Sequence, residues 1–408
     1  MPTMTMTIKA TLLFDGNGGA SKDRYITIEN ERIVSLSDEE APFDMEGVVT
    51  PAFIDPHSHI GMEREGEPYQ EGESNEEINQ ILPLVDPVDS LYFDDRAFSD
   101  AVDFGVLYSC VVPGSGNLIG GKAKVIRNFA KYRDEAVIKD YGYKMALGYN
   151  PRSTTDWKGD RPTTRMGLYS MLEKRFDEVL LKEEKAALEK EKKLNALVDK
   201  QAKGEINETD HAFEADVIDR EYQLAFSPEE KALLELLSGE KIAKVHVHKE
   251  DDILYLIKLV DKYGLSVTCD HACDVFHTEI FNRLAEKEIP VVYGPIGSVG
   301  YKVELKHAEY KNAAKIMASD AFYATMSDHP VTLAATLREG LKYFLIQGMS
   351  EAEAISLITG KSATILGIDD QLGSIETGKL ASLVVWDKSP FHLGAFPKAV
   401  FAEGKKIR

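Results

Sequence analysis

The 408-residue chain has few cysteines and no long apolar run. Its three cysteines, Cys110, Cys269 and Cys273, are too few and too scattered for a disulfide framework, and no second pair completes a zinc knot. No segment reaches the roughly 18 consecutive apolar residues that span a bilayer, and residues 1–13 lack the pattern of a signal peptide. We therefore expect reduced thiols, no membrane partner and a cytoplasmic protein.

Basic side chains are also scarce relative to acidic ones. The chain has 48 Lys and Arg against 68 Asp and Glu, which gives a formal net charge of -20. Such a surface repels phosphate backbones, so nucleic acid is not an expected partner. Hydrophobic residues make up 43% and charged residues 28%, a balance typical of a packed globular chain. The composition leaves the oligomeric state open, a homo-oligomer included.

Short apolar runs alternate with helical segments through the middle of the chain. This alternation is typical of repeated βα units and a parallel sheet. Both ends of the chain are rich in β-like runs and turn residues, so we expect them to pair. A stretch dense in Glu, Lys, Leu and Ala at about 171–240 predicts an inserted pair of helices. The strand candidates are residues 52–54, 107–112, 143–147, 243–247, 266–269, 290–293 and 322–326.

Two histidines separated by one residue follow the first of these strands. Alternate residues of a strand point the same way, so His57 and His59 can face one cation at the strand's end. A surface pair without a role is the alternative. The later partners favour the metal interpretation.

Those partners stand at the ends of three later strand candidates. His246 is the favoured ligand in Lys244-Val245-His246-Val247-His248, whereas His248 is a candidate for contact with substrate, and the choice between the two stays open. His271 is a further imidazole, with a packed histidine as its alternative. Asp328 is a carboxylate that can bind a cation and accept a proton from metal-bound water, or else cap a turn.

The order His-x-His, His, His, Asp at four strand ends resembles the amidohydrolase superfamily. Within it, the segments at 112–121, 165–167 and 327–331 resemble the imidazolonepropionase-like group. The resemblance implies an α/β fold, namely a distorted TIM (β/α)8 barrel at 51–372 with a small β-sandwich built from 1–50 and 373–408. It also implies a metal-activated hydroxide that attacks an amide-like carbon, with Asp328 as the proton shuttle and His271 and His248 in supporting catalytic roles.

The ligand types suit Zn²⁺, although iron or manganese would also fit them. Relatives with two metals have a bridging glutamate or carbamylated lysine, and this chain has Tyr149 where we expect the glutamate. A phenol, with an ordinary pKa of about 10, is a poor bridge at neutral pH. One ion is therefore favoured over two, and Lys122 is a candidate for a carbamylated bridge.

Residues after the strand ends predict the contacts with a small-molecule substrate. Arg152, Arg161 and Arg165 can hold a carboxylate in bidentate fashion, and Tyr149 and Tyr301 are further pocket candidates. We expect hydrolysis of a cyclic or linear amide. The alternatives are a deaminase of a small heterocycle and a barrel that has lost catalysis and serves as a binding protein.

Overall fold

Two sheets organise the chain in the computed structural model, which describes residues 5–153, 161–298, 300 and 302–408. The first and last strands belong to one sheet, and the strands between them form the other. The strands are β1 Thr5–Phe14, β2 Ala20–Glu29, β3 Arg32–Ser37, β4 Met45–Pro51, β5 Phe53–Ser58, β6 Val106–Val111, β7 Ile119–Arg127, β8 Val137–Ala146, β9 Ile242–Val247, β10 Val267–His271, β11 Val291–Tyr293, β12 Tyr323–Thr325, β13 Leu383–Trp386, β14 Pro397–Ala402 and β15 Lys405–Lys406.

The larger sheet is the barrel, with strand order β12-β11-β10-β9-β8-β7-β6-β5. From β8 to β12 the neighbouring strands are parallel, whereas β7 runs antiparallel to both β6 and β8. The two edges of this sheet meet where the segment after β12 reaches β5, since the Asp328 N–H donates to the His57 carbonyl at 3.1 Å. This is the distorted barrel that the resemblance implies, and the reversed strand β7 is part of the distortion.

The smaller sheet joins the two ends of the chain in the order β15-β14-β13-β4-β1-β2-β3. It encloses its own apolar core, which is separate from that of the barrel. Only Ala52 separates β4 from β5, so this sheet lies directly beside the start of the barrel. The pairing of the chain ends predicted from their composition is therefore present.

Helices cover the outside of the barrel and fill the insertion. They are α1 Arg96–Asp103, α2 Arg133–Ala136, α3 Asn150–Ser153, α4 Arg165–Ala202, α5 Glu208–Leu224, α6 Pro228–Leu237, α7 Glu250–Tyr263, α8 Thr278–Glu286, α9 Ala313–Met317, α10 Lys342–Ile346, α11 Glu351–Ser356 and α12 Gly360–Leu366. Short 3₁₀ turns lie at Tyr69–Glu71, Pro87–Ser90, Val303–Leu305, Tyr310–Asn312 and Ala334–Leu341. Within the described ranges, no helix combines the length and apolar composition that crossing a membrane requires.

The region at about 171–240 contains three helices, α4 to α6, where the composition predicts a pair. Helices α4 and α5 run side by side and are joined by ion pairs such as Lys190–Asp219 at 2.9 Å and Lys193–Glu221 at 2.7 Å. Helix α6 begins at a capping box formed by Ser227 and Glu230, and it packs its leucines into the barrel core. The third helix therefore connects the insertion to the barrel.

The pairing register of the parallel barrel strands brings their carboxyl ends together. Helix α7 has three acidic residues in its first turn, where the helix dipole favours them, and it ends at Gly264 in the left-handed conformation. It returns the chain so that β10 lies beside β9, with Asp270 opposite His246, while Ala146 of β8 lies opposite His246 on the other side. The carboxyl ends of the strands therefore share one rim.

Candidate metal centre

Imidazoles and a carboxylate meet at this rim of the barrel. Most of them are buried, and His59 keeps a small part of its side chain exposed. Among the residues that the structure describes, two groups of donor atoms could hold an ion, namely His57, His271 and Asp328, and His246, His248 and His271. The structure therefore brings together every histidine and aspartate that the sequence predicts as a ligand.

Distances around Asp328 match those between donors around one ion. His59 Nε2 lies 3.2 Å and His57 Nε2 3.6 Å from Asp328 Oδ1. Ligand bonds of about 2.1 Å in a tetrahedron place neighbouring donors about 3.4 Å apart. The arrangement is thus close to a coordination shell.

Hydrogen bonds set the orientation of these rings. The Nδ1 atom of His57 contacts Asp270 Oδ2 at 2.6 Å, that of His59 contacts the Val112 carbonyl at 2.8 Å, and that of His271 contacts the Gly294 carbonyl. Such contacts make Nε2 the acceptor nitrogen of each ring, as a metal ligand requires, and His57 Nε2 faces Lys144 Nζ at 3.0 Å. Within the described part of the chain, His271 Nε2 and His248 Nδ1 are buried without a hydrogen-bond partner. A divalent cation fits these nitrogen atoms.

Burial sets the charge of the site. It lowers the pKa of four histidines well below the ordinary value, so these rings are neutral at pH 7, as metal ligands must be. Burial acts to raise the pKa of Asp328, but its hydrogen bond with His59 and the neighbouring cationic groups outweigh burial, and the net shift of the pKa is downward. Asp328 is therefore ionised. The four histidines are His57, His246, His248 and His271.

Backbone strain coincides with two of the candidate ligands. His271 has φ of 82° and Asp328 has φ of 53°, values in the left-handed region that side chains with a Cβ seldom adopt. Such residues cost about 1–3 kcal/mol each and cluster at functional sites. The strain supports a functional reason for these two positions.

Lys144 is a functional candidate that no sequence motif indicates. It extends from β8 into the barrel, is fully buried, and places Nζ 3.0 Å from His57 Nε2. Burial lowers its pKa to about 8. The sequence does contain one indication of a role for Lys144, because it is a lysine inside the apolar run 141–147 and lysine is almost never fully buried without a partner.

Lys122, by contrast, lies away from the histidines. Its side chain is 39% exposed, and its Nζ atom lies 3.8 Å from Asp86 Oδ2. The prediction of a bridging lysine does not fit this position. Lys144, on the neighbouring strand β8, does lie against a candidate ligand, His57.

The residues predicted to contact substrate have different partners in the structure. Arg152 stacks its guanidinium 5.3 Å from the Tyr149 ring, and Arg161 donates to the Asn150 carbonyl at 3.1 Å. Arg165 is engaged elsewhere, because it forms an ion pair with the buried Asp252 at 3.0 Å. Tyr301 lies outside the described residues.

Asn150 and Glu304 also contact the second group, although the sequence pattern did not indicate them. Asn150 Nδ2 lies 3.3 Å from His246 Nε2 and donates to Ser115 Oγ in the segment 112–121. Glu304, in the turn after β11, is 2% exposed and accepts from the Tyr149 N–H at 3.0 Å. Only their nearness to the histidines in space marks Asn150 and Glu304 as site residues, and the sequence does not show that nearness.

Comparisons with known proteins agree with this geometry. The chain is 26% identical over 395 residues to the amidohydrolase tasK of Hapsidospora irregularis, a match that covers 92% of this chain but 38% of that protein. An amidohydrolase structure from Thermotoga maritima is similar with a TM-score of 0.82 and 28% identity, covering 98% of this chain and 99% of that one.

A Xaa-Pro dipeptidase with bound methionine is similar in fold, with a TM-score of 0.56 and 15% identity over 99% of each chain. The model of the amidohydrolase family matches residues 180–407, more than half of the sequence. The chain therefore belongs to the amidohydrolase family.

Proposed function

We propose that the protein is a divalent-metal-dependent amidohydrolase that cleaves a C–N bond of a cyclic or linear amide in a small molecule. The observation that carries the proposal is the convergence of His57, His271 and Asp328, with His59 against Asp328 and a buried imidazole nitrogen left without a partner among the described residues. Zinc is the proposed ion, since neutral imidazoles and a carboxylate suit it. The chain spans 38% of the length of its curated relative, so that protein's activity is not transferred.

The residues of the site supply the proton transfers. A bound divalent cation lowers the pKa of a coordinated water and polarises an amide carbonyl. Asp328, kept ionised by its surroundings, accepts the proton of the attacking water and returns it to the leaving nitrogen. His271 and His248 border the same space and orient the substrate.

Arg152 is the proposed contact for a substrate carboxylate. Its Nε is buried without a hydrogen-bond partner among the described residues, and its guanidinium lies against Tyr149 near the second group of histidines. A guanidinium binds a carboxylate through two parallel hydrogen bonds. Arg165 is less suited to this task because Asp252 already holds it.

A deaminase is the second candidate. The placement of His248 beside His246 and His271, with ring centroids 4.7 Å from each, favours it because an extra imidazole can hold the proton of a heterocycle. Such an enzyme releases ammonia, whereas an amidohydrolase releases an amine and a carboxylate or opens a ring.

A hydrolysis screen tests the proposal. Purified zinc-loaded protein is assayed against N-acyl amino acids, dipeptides, imidazolones and lactams, with ammonia measured in parallel. Turnover that disappears on chelation and returns with zinc supports the metal-dependent hydrolase. Ammonia as the product favours the deaminase, and metal-independent turnover contradicts both.

A further inference from the structure

The segment 302–312, which follows β11, crosses the rim of the barrel that carries the histidines, and we call it the strap. In the barrel sheet, β10 and β9 lie between β11 and β8. Glu304 of the strap nevertheless accepts the N–H of Tyr149, a residue that follows β8, at 3.0 Å. The strap therefore passes over the carboxyl ends of β9 and β10, where Glu304 Oε1 lies 3.5 Å from His246 Nε2.

The buried carboxylate of Asp274 holds the other end of the strap. Asp274 Oδ1 accepts the backbone N–H of His307, and Oδ2 lies 3.3 Å from His307 Nδ1. The N–H of Asp274 donates to the His248 carbonyl at 3.2 Å, so the same residue is also fixed to the end of β9. The Asp274 side chain is 1% exposed, and a carboxylate buried to this extent requires such partners.

The strap also covers the thiol of Cys273. Cys273 lines a cavity of about 60 Å³ together with Leu305 and Tyr310 of the strap. Asn312 Nδ2 donates to the Cys273 carbonyl at 3.3 Å and to the His307 carbonyl at 2.8 Å. Cys273 is 8% exposed. Since the strap forms one wall of the cavity, release of the strap exposes this thiol to small reagents.

We propose that Asp274 is a positioning residue for the hydrolysis, which holds the strap across the histidines at the ends of β9 and β10 so that substrate binds in an enclosed space. Its role in the reaction rests on the proposed function, whereas its hold on the strap does not. Asp274 belongs to neither group of candidate ligands, so it acts through the strap. Exclusion of water by the strap strengthens the electrostatic interactions within the site.

The competing explanation is that Asp274 only neutralises Lys249. Lys249 Nζ lies 3.7 Å from Asp274 Oδ2, and Lys249 precedes α7 and does not belong to the strap. Under this explanation, the ion pair is the purpose of the buried carboxylate. Every variant that breaks the ion pair should then have the same effect, whichever partner is changed.

Alkylation of the full-length, zinc-loaded protein by iodoacetamide separates the two explanations, with mass spectrometry to assign the label to each cysteine. Asp274→Ala removes both acceptor oxygens, so the alkylation rate of Cys273 should rise at least about tenfold. Cys110 and Cys269 lie in barrel strands and are fully buried, so they should stay unlabelled while the fold is retained. A wild-type alkylation rate of Cys273 in Asp274→Ala overturns the inference.

Two matched variants break the ion pair but leave the strap attached. Asp274→Asn keeps an oxygen that can accept the His307 N–H, and Lys249→Met leaves Asp274 unchanged. We expect Cys273 to be alkylated in both variants at close to the wild-type rate. A rate in both variants as high as that of Asp274→Ala supports the ion-pair explanation and overturns the inference.

A variant of the strap itself keeps the test independent of folding defects in Asp274→Ala. The His307 side chain is 41% exposed, so His307→Ala should fold, and it removes the imidazole contact with Asp274. Cys273 should then be alkylated faster than in wild type. The control His277→Ala removes the other imidazole that packs against Phe276 and should leave the rate unchanged. Equal rates in these two variants overturn the inference.

Kinetics with an N-acetyl amino acid as the probe connect the strap to the proposed function. Asp274→Ala should raise KM while kcat changes little, because the candidate ligands and Asp328 stay in place. An unchanged KM refutes a role of the strap in substrate binding. If wild type hydrolyses none of the screened amides but Cys273 responds as expected, the proposed function fails and the hold of Asp274 on the strap stands. If wild type hydrolyses an amide and Cys273 does not respond, the inference fails and the function stands.

Discussion

Asp270 orients the His57 ring and also pairs with the buried Lys244. Replacing Asp270 by asparagine should show how much each of these two contacts contributes. Asp270 Oδ2 lies 2.6 Å from His57 Nδ1 and 3.0 Å from Lys244 Nζ, and Oδ1 accepts from Thr268 Oγ1. All of these groups are buried. An asparagine NH₂ in place of Oδ2 would donate to His57 Nδ1, which moves the ring proton to Nε2, the atom needed by the metal.

Two effects of Asp270→Asn are therefore expected. Zinc affinity should fall about 10- to 100-fold, the range found when a supporting contact of a ligand histidine is lost. The free energy of unfolding should fall by about 3–5 kcal/mol, because the buried Lys244 ammonium loses its counter-charge. Zinc competition titration and urea unfolding measure the two quantities.

The double variant Asp270→Asn, Lys244→Met is the decisive control. Removing the unpaired ammonium should recover most of the lost stability, while zinc affinity stays low because His57 keeps the wrong tautomer. Lys244→Met alone should lose stability but retain more zinc affinity than Asp270→Asn. Wild-type zinc affinity in both asparagine variants would refute the orienting role of Asp270.

The remaining predictions concern proton transfer, carbamylation, pH and metal removal. Asp328→Ala should lower turnover by about 10²- to 10⁴-fold while zinc largely stays bound, and wild-type rates would contradict a proton shuttle. If the buried Lys144 amine is carbamylated, bicarbonate should raise the amount of zinc that wild type retains and should not change the amount that Lys144→Gln retains. Equal zinc retention by wild type with and without bicarbonate excludes carbamylation of Lys144. The four buried histidines have lowered pKa values, so the unfolded chain takes up more protons than the folded chain as the pH falls towards 6. The metal-free protein should therefore lose stability between pH 7 and 6. The free energy of unfolding should fall by up to about 1.4 kcal/mol per pH unit for each ring. Below pH 6 Asp55, whose pKa burial raises to about 6, opposes this trend, and a flat urea-unfolding profile between pH 7 and 6 would contradict the neutral rings. Removal of zinc by a chelator should lower the free energy of unfolding by about 4 kcal/mol relative to protein at a zinc concentration 1,000 times Kd. Urea unfolding measures this difference. An unchanged free energy of unfolding would show that zinc does not bind the folded state.

The positions of the candidate metal ligands were predictable because local sequence determines where these side chains lie. Two histidines one residue apart at the end of an apolar strand face the same way, whatever the rest of the fold does. The later His and Asp positions follow strands too, and parallel strands end at one rim. His246 and His248 could not be ranked, and the structure shows why, since both imidazoles lie in the same group.

Contacts between distant segments were not predictable. Strand β7 contains glycines and two lysines, so its sequence does not resemble a buried strand, and its reversed direction depends on its neighbours. Lys144 and Asp270 alternate with apolar residues as exposed strand residues do, yet they point into the barrel. Glu304 lies 56 residues after His248 along the chain, and only folding brings its carboxylate to the imidazoles.

Anomalous X-ray scattering at the zinc edge tests the central claim most directly. Crystals of zinc-loaded protein should give a peak about 2.0–2.2 Å from His57 Nε2, His59 Nε2 and a carboxylate oxygen of Asp328. A hydrolytically active protein with no peak at this position, or with zinc held only by other residues, would contradict the account.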